Sequence, residues 1–156
     1  MTGVLVDSSV WVAHFRRTDP LLESLLAADR VFCHPLVVIE IACGTPPAPR
    51  ERTLADLKRL RSSTIATSSE ILELIESEKL EDSGCGAVDM TLLASARLTP
   101  NAVLWTVDKN LDALASRCGV AFREIHSHSR VYPYKNQSHK RGGYITGTEP
   151  RANRGC

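Results

Sequence analysis

The sequence has no long apolar stretch and no large excess of charge of one sign. A transmembrane helix needs about 18 or more consecutive apolar residues, and no such run occurs in the 156 residues. A disordered chain would contain fewer apolar residues than the 43% seen here and would lie further from neutrality than +1. The composition, with 24% charged residues, therefore predicts one soluble domain with a core of its own and no association with a membrane.

Paired cysteines are also missing. The five cysteines are an odd number and include no Cys-x-x-Cys pair, and no charged-then-apolar leader precedes the first strand-like segment. Cys33 with His34, or His126 with His128, could contribute to a zinc site, but the paired spacing typical of such sites is not repeated. We therefore expect free thiols in a reducing, cytoplasmic protein.

The near-zero net charge is the sum of two unlike parts. Residues 127–156 carry six basic residues and one acidic residue, whereas residues 1–126 carry thirteen basic and seventeen acidic residues. Apolar periodicity also stops after Ile125. The sequence predicts a folded domain over 1–126 and a basic, disordered C-terminal extension over 127–156. Tyrosines among its basic residues are typical of contacts to single-stranded RNA, and the alternative is an extension without function.

Short apolar runs alternate with segments of helical periodicity along the domain. Strands are predicted over 3–6, 30–34, 64–67, 102–106 and 120–123. Helices are predicted after Ser8 or Ser9 and over 20–28, 35–43, 54–61, 70–80, 90–98 and 109–118. The expected capping residues include Asp19, Ser69, Asp89 and Asp108. This alternation predicts an α/β domain with a mainly parallel sheet covered on both faces.

Glu40 is an isolated acid within the apolar segment 35–43. We expect it to be buried, and a buried carboxylate needs a cation, hydrogen-bond donors or a metal. The alternative is a glutamate on a helix face that pairs with an arginine.

Asp7, Asp89 and Asp108 each lie where a helix is predicted to begin. Taken singly, each is explained by the preference for aspartate at helix N-termini. Asp7 and Asp108 also follow predicted strands, and ligands of open parallel sheets bind beyond the carboxyl ends of the strands. If Asp89 and Glu40 converge on the same crevice, four negative charges share one site.

Several ionised carboxylates in one crevice require a counter-charge. At about 4 Å and an effective dielectric constant near 20, each pair repels by roughly 4 kcal/mol. Mg²⁺ or Mn²⁺, with oxygen ligands, supplies that charge. Such a cation also lowers the pKa of water and contacts phosphate oxygens, which suits phosphodiester hydrolysis.

The order of these motifs resembles PIN-domain ribonucleases, in particular the VapC-type toxins of bacterial toxin–antitoxin pairs. The segments that carry the resemblance are 4–11, 87–96 and 104–111, together with Glu40 in its apolar helix. The resemblance covers about residues 3–124. It implies a PIN-like α/β/α sandwich and an endoribonuclease that uses Mg²⁺ or Mn²⁺ to hydrolyse RNA.

The resemblance also assigns roles to residues. Asp7, Glu40, Asp89 and Asp108 match the family's metal-binding and catalytic acids. Thr106 matches a hydroxyl position that supports the site, and Ser8 could support the first motif similarly. The implied partners are an RNA substrate, a neutralising VapB-type antitoxin and a second copy of the chain in a homodimer.

Other site residues are less clearly marked. Asp112 lies one helical turn after Asp108 and is either an auxiliary acid or a solvated surface charge. Phosphate contacts could come from exposed bases in the domain, each of which is otherwise an ordinary surface charge. The candidates are Arg16, Arg17, Arg97 and Lys109.

Two rival functions follow from the same residues. An aspartate after the first strand also begins phosphoaspartate enzymes and receivers. Phosphatases of the haloacid-dehalogenase type, however, require a second aspartate where this chain has Ser9, and receivers require an acidic pair before the phosphorylated residue. The second rival is a PIN-like module without catalysis, and retention of all four acids argues against it.

Overall fold

A computed structural model describes residues 1–124 of the chain. The predicted boundary at residue 126 and the predicted extension over 127–156 lie outside the described residues. Within the described part, no helix is both long enough and apolar enough to span a membrane.

Seven helices and four strands lie within residues 1–124. The strands are β1 (Gly3–Val6), β2 (Val31–Cys33), β3 (Arg61–Ser62) and β4 (Ala102–Trp105). The helices are α1 (Ser8–Arg16), α2 (Pro20–Ala27), α3 (Pro35–Cys43), α4 (Arg50–Arg59), α5 (Ser68–Glu78), α6 (Ala87–Leu98) and α7 (Lys109–Arg117).

The strands of the described residues form one sheet in the order β3-β2-β1-β4, and every pairing is parallel. The pair of β1 and β4 runs in register from Gly3 opposite Ala102 to Val6 opposite Trp105. The chain moves from β1 to β2 on one side and later returns to β4 on the other side. The direction of winding therefore reverses between β1 and β4, which is where open parallel sheets bind their ligands.

The core lies around β1 and α6. All four residues of β1 are buried, and α6 contains a continuous buried segment from Leu92 to Ala96. Gly3 is required at the start of β1, because a Cβ there would lie 2.1 Å from ring carbon Cε2 of Phe32. Strand β1 is paired with β2 on one edge and with β4 on the other. Asp7, the residue that follows β1, therefore has a defined position.

The third strand is not where the sequence placed it. The structure has β3 at Arg61–Ser62, whereas the prediction was 64–67. The backbone N–H groups of Thr64 and Ala66 instead donate to side-chain hydroxyls, that of Thr99, the C-cap of α6, at 2.9 Å and that of Ser95 within α6 at 3.2 Å. The predicted final strand over 120–123 is reduced to a single parallel bridge between Ala121 and Leu104.

Several helix starts also differ from the prediction. Asp19 and Asp108 are N-caps as expected. Asp7, not Ser8 or Ser9, caps α1. Thr67, not Ser69, caps α5 through a reciprocal hydrogen-bond pair with Glu70. Asp89 lies at the third position of α6 rather than before it, and α4 begins at Arg50 rather than at residue 54.

Candidate active site

The candidate site lies at the carboxyl ends of β1 and β4. Asp7 directly follows β1, and Thr106 directly follows β4, so the pairing of these strands brings the two side chains together. Helices α1 and α7 begin within a few residues of the same edge, with Asp7 and Asp108 as their N-caps. The two acids therefore lie at the positive ends of two helix dipoles.

Asp7 is the most firmly held of the four acids. Its side chain is buried, and its Oδ2 accepts hydrogen bonds from Thr106 Oγ1 at 2.9 Å, from the Ser9 hydroxyl and from Ser9 N. Among residues 1–124, its Oδ1 has only a long contact of 3.5 Å, from Ser8 Oγ. Thr106 therefore contacts Asp7, the first of the predicted acids. Sequence reasoning missed Ser9, whose hydroxyl also accepts from Val107 N at 3.2 Å.

Glu40 is exposed, so the expectation that it would be buried is wrong. Val37 and Ile41 form the buried stripe of α3, and Glu40 falls at its border. The apolar composition of the helix was misleading because some of its apolar residues face solvent, including Ile39 at 54% exposure. Ser8 Oγ donates to Glu40 Oε2 at 2.7 Å, which links this carboxylate to the neighbourhood of Asp7.

Asp89 and Asp108 each bond to the start of their own helix. Asp89 Oδ2 accepts from Gly86 N at 3.0 Å, and Asp108 Oδ1 accepts from Leu111 N at 2.9 Å. Thr106 Oγ1 accepts from Asp108 N at 3.0 Å while donating to Asp7. One hydroxyl thus ties the first acid of the site to the segment that carries the last.

Cys85 lies close to both Asp89 and Asp108. Burial is the main cause that raises the pKa of its thiol, and the negative charges of the two aspartates raise it further, against a hydrogen bond with Ser83. The loop before α6 also contacts the start of α7, because a Cβ at Gly84 would lie 3.0 Å from Asn110 Nδ2. Asp89 and Asp108 therefore both act electrostatically on one thiol that the sequence analysis did not assign to the site.

The four acids share a pattern of hydrogen bonding. Each uses one carboxylate oxygen in a hydrogen bond to the protein, and the other receives at most the long Ser8 contact from the described residues. Among residues 1–124, however, no group of three or more Asp, Glu, His or Cys side chains is gathered closely enough to hold a metal ion. Mg²⁺ commonly binds through one or two carboxylates and retains several waters, so the oxygen donors suit it with few direct ligands.

Other predicted candidates have partners of their own. Asp112 is bound by both guanidinium nitrogens of Arg123, at 2.7 and 3.0 Å. Arg97 pairs with Glu78 at 2.7 Å. This ion pair competes with any contact between Arg97 and a phosphate. Arg16, Arg17 and Lys109 are exposed. The geometry therefore favours a surface ion pair as the role of Asp112.

Comparison with known proteins identifies the family. The sequence profile of the PIN domain matches residues 4–116. The chain belongs to the PIN domain family. Ribonuclease VapC32 of Mycobacterium tuberculosis is 42% identical to this PIN domain protein over 121 residues, in strain CDC 1551 / Oshkosh and in strain ATCC 25618 / H37Rv alike. The match covers 78% of the present chain and 97% of each relative. The predicted PIN-like fold and the predicted VapC-type family are therefore confirmed.

Proposed function

We propose that this PIN domain protein is a metal-dependent endoribonuclease that hydrolyses phosphodiester bonds in RNA and acts as a VapC-like toxin. The observation that carries the proposal is the position of Asp7. It is buried beyond the central strand. Two hydroxyls hold one of its oxygens, and the part of the chain that the structure describes offers the other only the long Ser8 contact. That arrangement suits a carboxylate that presents a lone pair to a hard cation.

The residues around Asp7 have separable roles in this proposal. Thr106 and Ser9 fix the orientation of its carboxylate, and Ser8 holds Glu40 beside it. Asp89 and Asp108 add negative charge from α6 and α7. A bound Mg²⁺ or Mn²⁺ would offset this charge, stabilise negative charge on phosphate oxygens and lower the pKa of water. We propose all four acids as the metal-binding and catalytic set, with Thr106 and Ser8 as supporting residues.

Cleavage of RNA by the purified full-length protein tests the activity. Total RNA is incubated with Mg²⁺, with Mn²⁺ and with EDTA, and the same reactions are run with Asp7→Asn and Asp89→Asn. We expect cleavage only with a divalent cation and a loss of roughly tenfold or more in each variant. Asp56→Asn is the matched control, because Asp56 is an exposed aspartate on α4 whose ion pairs within residues 1–124 are two long ones. Cleavage that persists in EDTA, or that is equal in all variants, would disprove the mechanism.

The toxin role is tested in cells. Family membership supports three further parts of the proposal. The protein is cytoplasmic, it forms a homodimer, and a VapB-type antitoxin neutralises it. We expect induced expression of the wild-type chain to stop bacterial growth, and Asp7→Asn to leave growth normal. Co-expression of the small protein encoded beside it should restore growth and yield a stable complex. Absence of any growth effect from an active enzyme would indicate a housekeeping nuclease instead.

A further inference from the structure

We propose that a cavity beside the candidate active site binds one unpaired nucleobase of the RNA substrate, stacked on Trp105 and Phe122. The proposal rests on the proposed function, because it assigns a binding subsite to the same reaction. The cavity has a volume of about 420 Å³ and contains Thr106 and Asp108 in its lining. It is therefore continuous with the site that would hold the scissile phosphate, and its size falls in the range of small-ligand sites.

Two aromatic rings form part of the cavity wall. The ring centroids of Trp105 and Phe122 lie 4.9 Å apart with an angle of 32° between the ring planes. Burial alternates along β4, and Val103 and Trp105 lie on its less covered face. Both rings are only half-buried, so aromatic surface remains accessible within the cavity. Any of the four nucleobases can stack on such a surface, because every base has a π-face.

The charges around the cavity favour a base over a second phosphate. Arg123 is engaged by Asp112, and Asp108 adds negative charge to the lining. Lys109 is exposed and makes no ion pair with any residue from 1 to 124. It follows Asp108 directly, so it is placed to contact the phosphate of the nucleotide whose base occupies the cavity. The aromatic rings supply the affinity for the base, and Lys109 supplies one phosphate contact.

Tryptophan fluorescence can report on this cavity alone. The chain has two tryptophans, and Trp11 is only 4% exposed. In a Trp11→Phe variant all tryptophan emission comes from Trp105, and Asp7→Asn in the same chain suppresses cleavage. This variant is titrated with a short oligoadenylate and with an abasic oligonucleotide of equal length. We expect quenching by the oligoadenylate alone, and an affinity roughly 5- to 150-fold higher than for the abasic strand.

Two further variants separate base contact from phosphate contact. In the Asp7→Asn background, Trp105→Leu should remove the preference for the base-containing strand, as measured by fluorescence anisotropy of a labelled strand. Lys109→Ala should weaken both strands equally, and Lys58→Ala, an exposed lysine on α4, should weaken neither. Circular dichroism checks folding, and the quenching titration stands by itself if Trp105→Leu does not fold.

The outcomes distinguish this proposal from the proposed function. Equal affinity for the two strands, or a base preference that survives Trp105→Leu, would overturn the nucleobase subsite even if the wild-type chain cleaves RNA. A base preference that depends on Trp105, in a chain that cleaves no RNA with either cation, would retain the subsite and overturn the nuclease.

Discussion

Asp7 is oriented by hydroxyl groups rather than by a positively charged side chain. Thr106 and Ser9 both donate to its Oδ2, and the described residues place no lysine or arginine in a salt bridge with it. Hydroxyl donors fix a carboxylate without neutralising its charge. The arrangement therefore keeps the full charge of Asp7 available for a cation, which a salt bridge would partly cancel.

Thr106→Val should separate this positioning role from folding. The change removes the donor to Asp7 Oδ2 and the acceptor for Asp108 N while conserving side-chain volume. We expect a loss of roughly 10- to 100-fold in apparent metal affinity or turnover. Thr106→Ser should recover most of it because the hydroxyl returns. The measurement is cleavage rate against Mg²⁺ concentration, with the unfolding midpoint recorded for each variant. Equal loss in both variants would mean that packing, not the hydroxyl, matters at this position.

His34 should make the stability depend on pH. It is 2% exposed, and burial lowers its pKa from the ordinary value of 6.5. In the folded state its Nδ1 accepts from Leu36 N at 3.1 Å, so protonation also breaks the cap of α3. Because the unfolded chain takes up a proton near pH 6.5 and the folded chain does so only at lower pH, stability falls as pH drops between these two values. The slope is at most about 1.4 kcal/mol per pH unit.

The matched variant is His34→Asn, since asparagine can cap a helix but does not titrate in this range. Urea unfolding is measured at about pH 7 and about pH 5 for both proteins. Carboxylates contribute equally to the two pH dependences, so the wild type should lose more stability than the variant. Parallel losses would show that His34 is protonated equally in the folded and unfolded states.

At the residue scale, the sequence could indicate where some acids lie in the fold but not what surrounds them. Asp7 and Asp108 could be placed at strand ends because the pattern of strand followed by helix is local. The exposure of Glu40 could not be predicted, because it depends on which side of α3 meets the core. The electrostatic effect of Asp108 on Cys85 also arises between segments that are distant in sequence.

At the scale of elements, helix starts are fixed by hydrogen bonds that the sequence leaves ambiguous. Thr67, Ser68 and Ser69 are all acceptable N-caps for α5. The structure selects Thr67, whose Oγ1 accepts from Glu70 N at 3.3 Å while Glu70 Oε2 accepts from Thr67 N at 2.7 Å. Glutamate three residues after the cap was the signal that could have identified it. The short strand β3 left no comparable signal, since its two residues are both exposed.

Thr67→Ala should destabilise the protein, whereas Ser69→Ala should not. The first change removes the capping hydroxyl and costs about 1 kcal/mol, or a few degrees in the unfolding midpoint. The second removes an exposed hydroxyl inside the first turn of α5. Neither should alter RNA cleavage, because both residues lie outside the candidate site. Thermal unfolding of the two variants decides between the caps, and a larger effect of Ser69→Ala would favour the cap predicted from the sequence.

At the scale of the molecule, the order of strands and helices along the chain was sufficient to predict a parallel α/β sheet. The order of strands within the sheet was not predicted, since it depends on which edge of β1 receives β4. That order creates the reversal of winding at which Asp7 and Thr106 meet. Without the four candidate acids, residues 1–126 would carry thirteen basic and thirteen acidic residues, a net charge of zero.

The basic residues of 127–156 should be dispensable for folding and for catalysis. Residues 4–116 match the PIN domain, and all four acids and the sheet lie within residues 1–124. We therefore expect a chain that ends at residue 126 to unfold cooperatively at the midpoint of the full chain and to retain metal-dependent cleavage. Calorimetry and cleavage assays on the two chains test this. An electrostatic contribution of residues 127–156 to RNA binding would appear as a weaker salt dependence of affinity in the shorter chain. Loss of cooperative unfolding would show that the domain extends beyond residue 126.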